Sequence, residues 1–200
     1  VTWVKVCGLT RTEDVAAAVA AGADAVGIVL IPSSPRFVSR ERAGALAAAA
    51  EGVRRVLLTV DLAPAELAAL LDEIGADAIQ PYGAHATAVA AAAVAAGIFV
   101  LRPVLVAAAL ELPAPGEGVP LLDATAGAAL GGTGRRFDWA LATGIEGPWV
   151  LAGGLGPDNV AEAVTTLRPW GVDASSGLEA APGIKDHGRV TAFVREAKRA

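Results

Sequence analysis

Short runs of aliphatic and β-branched residues recur along the chain, separated by longer stretches rich in alanine and leucine with helical spacing. Apolar runs at residues 4–7, 25–30, 55–60, 78–80, 99–105, 119–123, 149–152 and 172–175 predict eight strands. Helices are predicted between and after them at 12–21, 39–50, 64–74, 87–96, 137–142, 159–167 and 187–198. Three starts carry capping signals: Thr12 before Glu13 and Asp14, Ser39 before Glu41 and Arg42, and Asp158 before Asn159. The alanine run at 86–96 stops at Gly97 and falls well short of the roughly 20 apolar residues a membrane span needs, so it reads as a helix. Residues 107–118 end in prolines and glycines, and one helix of the pattern is expected to be shortened there.

Strands alternating with helices imply a parallel sheet covered by helices, and eight such units imply a closed (β/α)8 TIM barrel. No linker or low-complexity tail divides the chain, so residues 1–200 are read as one α/β domain. Period-two alternation then assigns faces. Lys5 and Cys7 point into the barrel while Val4 and Val6 meet the helices; Leu121 and Asp123 point in while Leu122 points out. Cys7 and Asp123 both end strands, and in a barrel those ends converge on one mouth. An inward lysine is costly alone, and Asp173 on the neighbouring last strand is its expected partner.

Composition narrows the chemistry. With 54% hydrophobic residues the chain can bury a sizeable core, and the net charge of −5 with scattered basic residues offers no footprint for nucleic acid or a membrane surface. A single cysteine cannot staple the fold, and the N-terminal residues do not read as a signal peptide, so a cytoplasmic protein is expected. The two histidines lie far apart and no carboxylate cluster has ligand spacing, so no metal is expected. Gly153 and Gly154 follow the seventh strand, and Ser175, Ser176 and Gly177 follow the eighth. Barrels most often grip phosphate in those two loops, through backbone N–H groups that side chains do not obstruct. A small phosphorylated molecule is the expected partner.

Several motifs together carry a resemblance: Lys5-Val6-Cys7-Gly8-Leu9-Thr10, Ser34-Pro35-Arg36, Leu122-Asp123, Gly131-Gly132-Thr133-Gly134 with Phe137-Asp138-Trp139, Ala152-Gly153-Gly154-Leu155 and Asp173-Ala174-Ser175-Ser176-Gly177. In this order and spacing the chain resembles the phosphoribosylanthranilate isomerases of tryptophan biosynthesis over nearly its whole length. The resemblance implies an acid/base Amadori rearrangement of N-(5-phosphoribosyl)anthranilate to 1-(2-carboxyphenylamino)-1-deoxyribulose 5-phosphate, with no cofactor. It implies Asp123 as general acid and Cys7 as general base. The Asp123 carboxyl is expected to be raised by desolvation and the Cys7 thiol to be lowered by Lys5 or a backbone amide. Arg36 is the candidate for the anthranilate carboxylate, Gln80 is a further substrate-binding candidate, and residues 131–134 are read as a loop that closes over the substrate.

The family's Gln-Leu-His-Gly appears here as Gln80-Pro81-Tyr82-Gly83, with a phenol for an imidazole. The same residues also admit three rival readings. The related isomerase of histidine biosynthesis uses two aspartates, against which the first-strand cysteine argues; a cysteine hydrolase would need a histidine such as His85 beside Cys7; and a decayed, ligand-binding barrel would not be expected to retain both Cys7 and Asp123. Monomer and homodimer are both left open.

Overall fold

The computed structural model describes residues 1–106, 110–124 and 138–200. Its strands and helices run β1 (Trp3–Cys7), α1 (Thr12–Ala20), β2 (Ala25–Val29), α2 (Arg40–Ala49), β3 (Arg54–Val60), α3 (Leu67–Ile74), β4 (Ala78–Tyr82), α4 (Ala86–Ala95), β5 (Phe99–Val106), β6 (Val119–Ala124), β7 (Val150–Leu151), α5 (Val160–Leu167), β8 (Gly171–Ala174), β9 (Glu179–Ala181), β10 (Ile184–Lys185) and α6 (His187–Arg199). Strands β1 to β8 pair in parallel in sequence order, and β8 returns to β1, with Lys5 opposite Asp173. The sheet is a closed (β/α)8 barrel.

The pleat separates two apolar layers, as the alternation predicts. Val4, Val6, Val26, Ile28, Leu122 and Val172 pack outward against the helices, together with Val15, Leu46 and Phe193 from those helices. Cys7, Val29, Leu58, Tyr82, Leu121 and Val150 fill the inside. Helix starts follow local chemistry: Ser39 accepts from the Arg42 N–H at 3.2 Å, and Asp186 accepts from the Arg189 N–H at 2.9 Å. α3 stops where Gly75 adopts φ 75°, a left-handed conformation open to glycine without steric cost. Among the described residues no helix is long and apolar enough to cross a membrane.

Several expectations need correction. Thr12 does not cap α1 but is its first residue, and Asn159, not Asp158, precedes α5. Trp139–Ala142 is a single 3₁₀ turn where a longer helix was expected, and Phe137 lies outside the described residues; residues 110–118 form no helix, in keeping with the shortening expected there. β4 continues through Pro81 to Tyr82, two residues beyond the expected end. That proline has no N–H to give, and the ladder to β5 already ends at Ile79. The antiparallel β9–β10 hairpin, turned by Pro182 and Gly183, was not foreseen.

Asp14 ties this hairpin to the barrel. Its buried carboxylate takes a fork from Arg11 at 3.0 and 2.7 Å, the Lys185 N–H at 3.1 Å and His187 Nε2 at 2.8 Å. Burial works to raise the carboxyl, but these partners outweigh it and hold it below its ordinary 3.8. A depressed folded-state value stabilises above the unfolded value and is lost as pH falls through the folded one. Asp14→Asn is therefore expected to lower the unfolding free energy by about 2–3 kcal/mol at neutral pH. Urea unfolding across a pH series should show this gap narrowing below pH 3.8, and a gap that ignores pH would contradict the assignment.

Candidate active site

The carboxyl ends of the strands surround a narrow cleft. Cys7, Arg36, Gln80, Asp123, Gly153, Gly154, Ser175 and Ser176 all line it. Gly177 stands just behind, where a Cβ would collide with the Leu155 carbonyl, so its glycine lets the two loops pack on one another. Residues 131–134, read as a closing loop, lie outside the described residues.

Two glycines make the thiol's place. A Cβ at Gly27 on β2 would stand 2.6 Å from Cys7 Sγ. Gly8, with φ 74°, bends the chain straight after β1, and a Cβ there would run into the Arg36 side chain and lie 2.8 Å from Ser175 Oγ. The sulfur and the arginine thus share a mouth that no bulkier backbone would admit.

Below the thiol, Lys5 is fully buried and donates from Nζ to Asp173 Oδ2 at 3.0 Å and Gln80 Oε1 at 3.1 Å. Burial works to lower its charge state, but Asp173 and Cys7 outweigh it and hold Lys5 above 10.5. The expectation for Cys7 is reversed. Burial pushes the thiol above its ordinary 9.0, and the Lys5 ammonium offsets only part of that.

Arg36 is held by a residue that sequence reasoning missed. Glu179, the first residue of the hairpin, accepts from Arg36 Nε and Nη2 at 2.7 Å each. Lys185 on β10 donates to the same carboxylate at 2.8 Å and to the Ser175 carbonyl at 3.1 Å. Burial works to raise Glu179, yet Arg36 and Lys185 hold it below 4.5; burial draws Lys185 below 10.5, with Glu179 offsetting part. The fork occupies one side of the guanidinium and leaves the Nη1 side to another anion. The signal for a clamp of this kind was the Pro182-Gly183 turn, which marks a hairpin directly after the eighth strand.

Gly153 and Gly154 take φ 82° and 67°, and Asn159 braces the loop by donating to the Gly154 carbonyl and accepting from the Gly156 N–H. Among the described residues nothing accepts from the backbone N–H groups of Gly153, Gly154, Ser176 or Gly177. Three of these donors, on Gly153, Gly154 and Ser176, belong to residues that line the cleft, an arrangement that suits an anion.

A raised thiol has a direct signature. Alkylation of Cys7 by iodoacetamide is expected to be slow at pH 7 and to accelerate about tenfold per pH unit without a plateau below pH 9. A plateau near pH 7 would mean that Lys5 wins over burial.

The family model described as N-(5'phosphoribosyl)anthranilate (PRA) isomerase matches residues 4–196. An N-(5'-phosphoribosyl)anthranilate isomerase of Halobacterium salinarum is 46% identical over 215 aligned positions, covering 98% of this chain and 95% of its own. The crystal structure of phosphoribosyl anthranilate isomerase from Thermotoga maritima superposes with a TM-score of 0.86 at 33% identity, covering 100% of both chains. A phosphoribosyl anthranilate isomerase solved in complex with reduced 1-(o-carboxyphenylamino)-1-deoxyribulose 5-phosphate superposes at 0.82, with 32% identity and 100% of both chains covered. The barrel, its cleft and these likenesses over essentially the whole length agree: the chain belongs to the N-(5'-phosphoribosyl)anthranilate isomerase family.

Proposed function

We propose that this barrel isomerises N-(5'-phosphoribosyl)anthranilate to 1-(2-carboxyphenylamino)-1-deoxyribulose 5-phosphate, with Asp123 as general acid and Cys7 as general base. The observation that carries this reading is the order of groups around the mouth. The thiol ends β1, the carboxyl lies near the end of β6, and the two strands between them, β7 and β8, carry the phosphate loops. A sugar anchored by its phosphate at those loops has an acid on one side and a base on the other.

Asp123 gives its proton to the furanose ring oxygen, the C1–O bond breaks, and the nitrogen lone pair forms a protonated Schiff base. That cation acidifies the proton on C2 and adds positive charge to the cleft. The new charge joins Lys5 in favouring the Cys7 thiolate, which burial alone disfavours. The thiolate takes the C2 proton, the electrons flow to nitrogen, and the enolamine relaxes to the ketone. The enol hydroxyl loses its proton as C1 gains one, the proton that Cys7 released on forming its thiolate passes through solvent to restore Asp123, and the cycle closes with no net change in protons. The phosphate rests on the free N–H groups of the two glycine-bearing loops, and the free side of Arg36 meets the anthranilate carboxylate.

Loss of the intrinsic fluorescence of phosphoribosylanthranilate tests the reaction. Cys7→Ser and Asp123→Asn are each expected to lower kcat by orders of magnitude with little change in KM, and near wild-type turnover in either would remove the proposed role. Arg36→Ala should raise KM by roughly tenfold or more. Glu179→Ala, which keeps the guanidinium but frees it, should raise KM by a smaller factor; an unchanged KM would mean that the fork does not aim Arg36.

A further inference from the structure

Tyr82 stands at the end of β4, is buried, and is one of the residues that line the cleft shared by Cys7 and Asp123. Its hydrogen bonding is dictated from deep inside the barrel. Lys5 carries only donors, so the group it meets on Gln80 at 3.1 Å must be the carbonyl oxygen, Oε1. The amide is thereby turned with Nε2 toward Tyr82, which it reaches at 2.7 Å. An amide nitrogen only donates, so the phenol oxygen accepts, and its single proton must point away from Gln80. No described residue accepts that proton.

We propose that Tyr82 is a substrate-binding donor whose hydroxyl proton goes to an oxygen of the bound aminosugar, with Lys5 fixing that direction through Gln80. The proposal rests on the isomerase reading above. Burial pushes the phenol well above its ordinary 10.0, so it keeps its proton and stays a donor throughout the working pH range. Gln80, whose amide is engaged at both ends, is in this reading a positioning residue and not a direct ligand.

The experiment measures KM and kcat for phosphoribosylanthranilate, and in parallel the Kd for reduced 1-(o-carboxyphenylamino)-1-deoxyribulose 5-phosphate, in the full chain and four variants. Tyr82→Phe is expected to raise KM and Kd by roughly five- to tenfold with kcat within about twofold, the loss of one neutral hydrogen bond. Tyr82→His should recover most of the loss, because a neutral imidazole that accepts on one nitrogen donates on the other. Gln80→Glu keeps the shape but offers Tyr82 only acceptors, so it should draw the hydroxyl proton inward and weaken binding as Tyr82→Phe does. The double variant should then bind no worse than Tyr82→Phe alone. Unchanged KM and Kd in Tyr82→Phe, or losses that multiply in the double variant, would overturn the proposal. A wild-type chain that binds the reduced compound with this pattern but leaves the aminosugar untouched would sink the isomerase reading instead.

Discussion

A positive charge in the dry interior of the barrel governs the rest. Lys5 is fully buried, and an isolated ammonium there would cost several kcal/mol. Asp173, one strand over in register, makes the charge tolerable. The pair adds little net stability in this setting, since desolvation consumes most of the attraction, but it breaks the symmetry of an otherwise oily core. Cys7 two residues along feels the ammonium, Gln80 is turned by it, and Tyr82 inherits its direction from Gln80. The polarity of the mouth is thus set a layer below it.

A second charge cluster works from above. Glu179 and Lys185 arrive together on a hairpin that exists only because the chain doubles back after β8, and they hold Arg36 across Gly8. The hairpin is clipped in turn to α1 by Asp14. Groups that line the cleft are therefore braced on two sides, by the barrel floor and by an appendage outside the eight repeats. The hairpin brace uses two carboxylates with several partners each, Glu179 and Asp14, which fix direction more firmly than exposed pairs can.

Much of this was legible in the chain because the strands alternate cleanly. The inward direction of Lys5, Cys7, Leu121 and Asp123 follows from counting residues in twos, and the partnership of Lys5 with Asp173 follows from the cost of leaving a charge alone. Helix ends were less legible: Thr12 looks like a cap, but Arg11 and Asp14 form a fork around it instead. The hairpin escaped because its strands are too short for a period to show, and β4 was cut at Gln80 because proline usually ends a strand. The direction of the Cys7 shift is not legible in the sequence, for a physical reason. Sequence exposes the neighbouring lysine but not the depth of burial, and burial is the larger influence.

The crowding between Gly27 and the thiol also has an evolutionary side. While sulfur stands at position 7, residue 27 has no space for any side chain, so the two positions cannot drift independently. A descendant that acquired so much as a methyl group at residue 27 would have to surrender or displace its sulfur first, and a lineage that has lost the sulfur is free to decorate that strand.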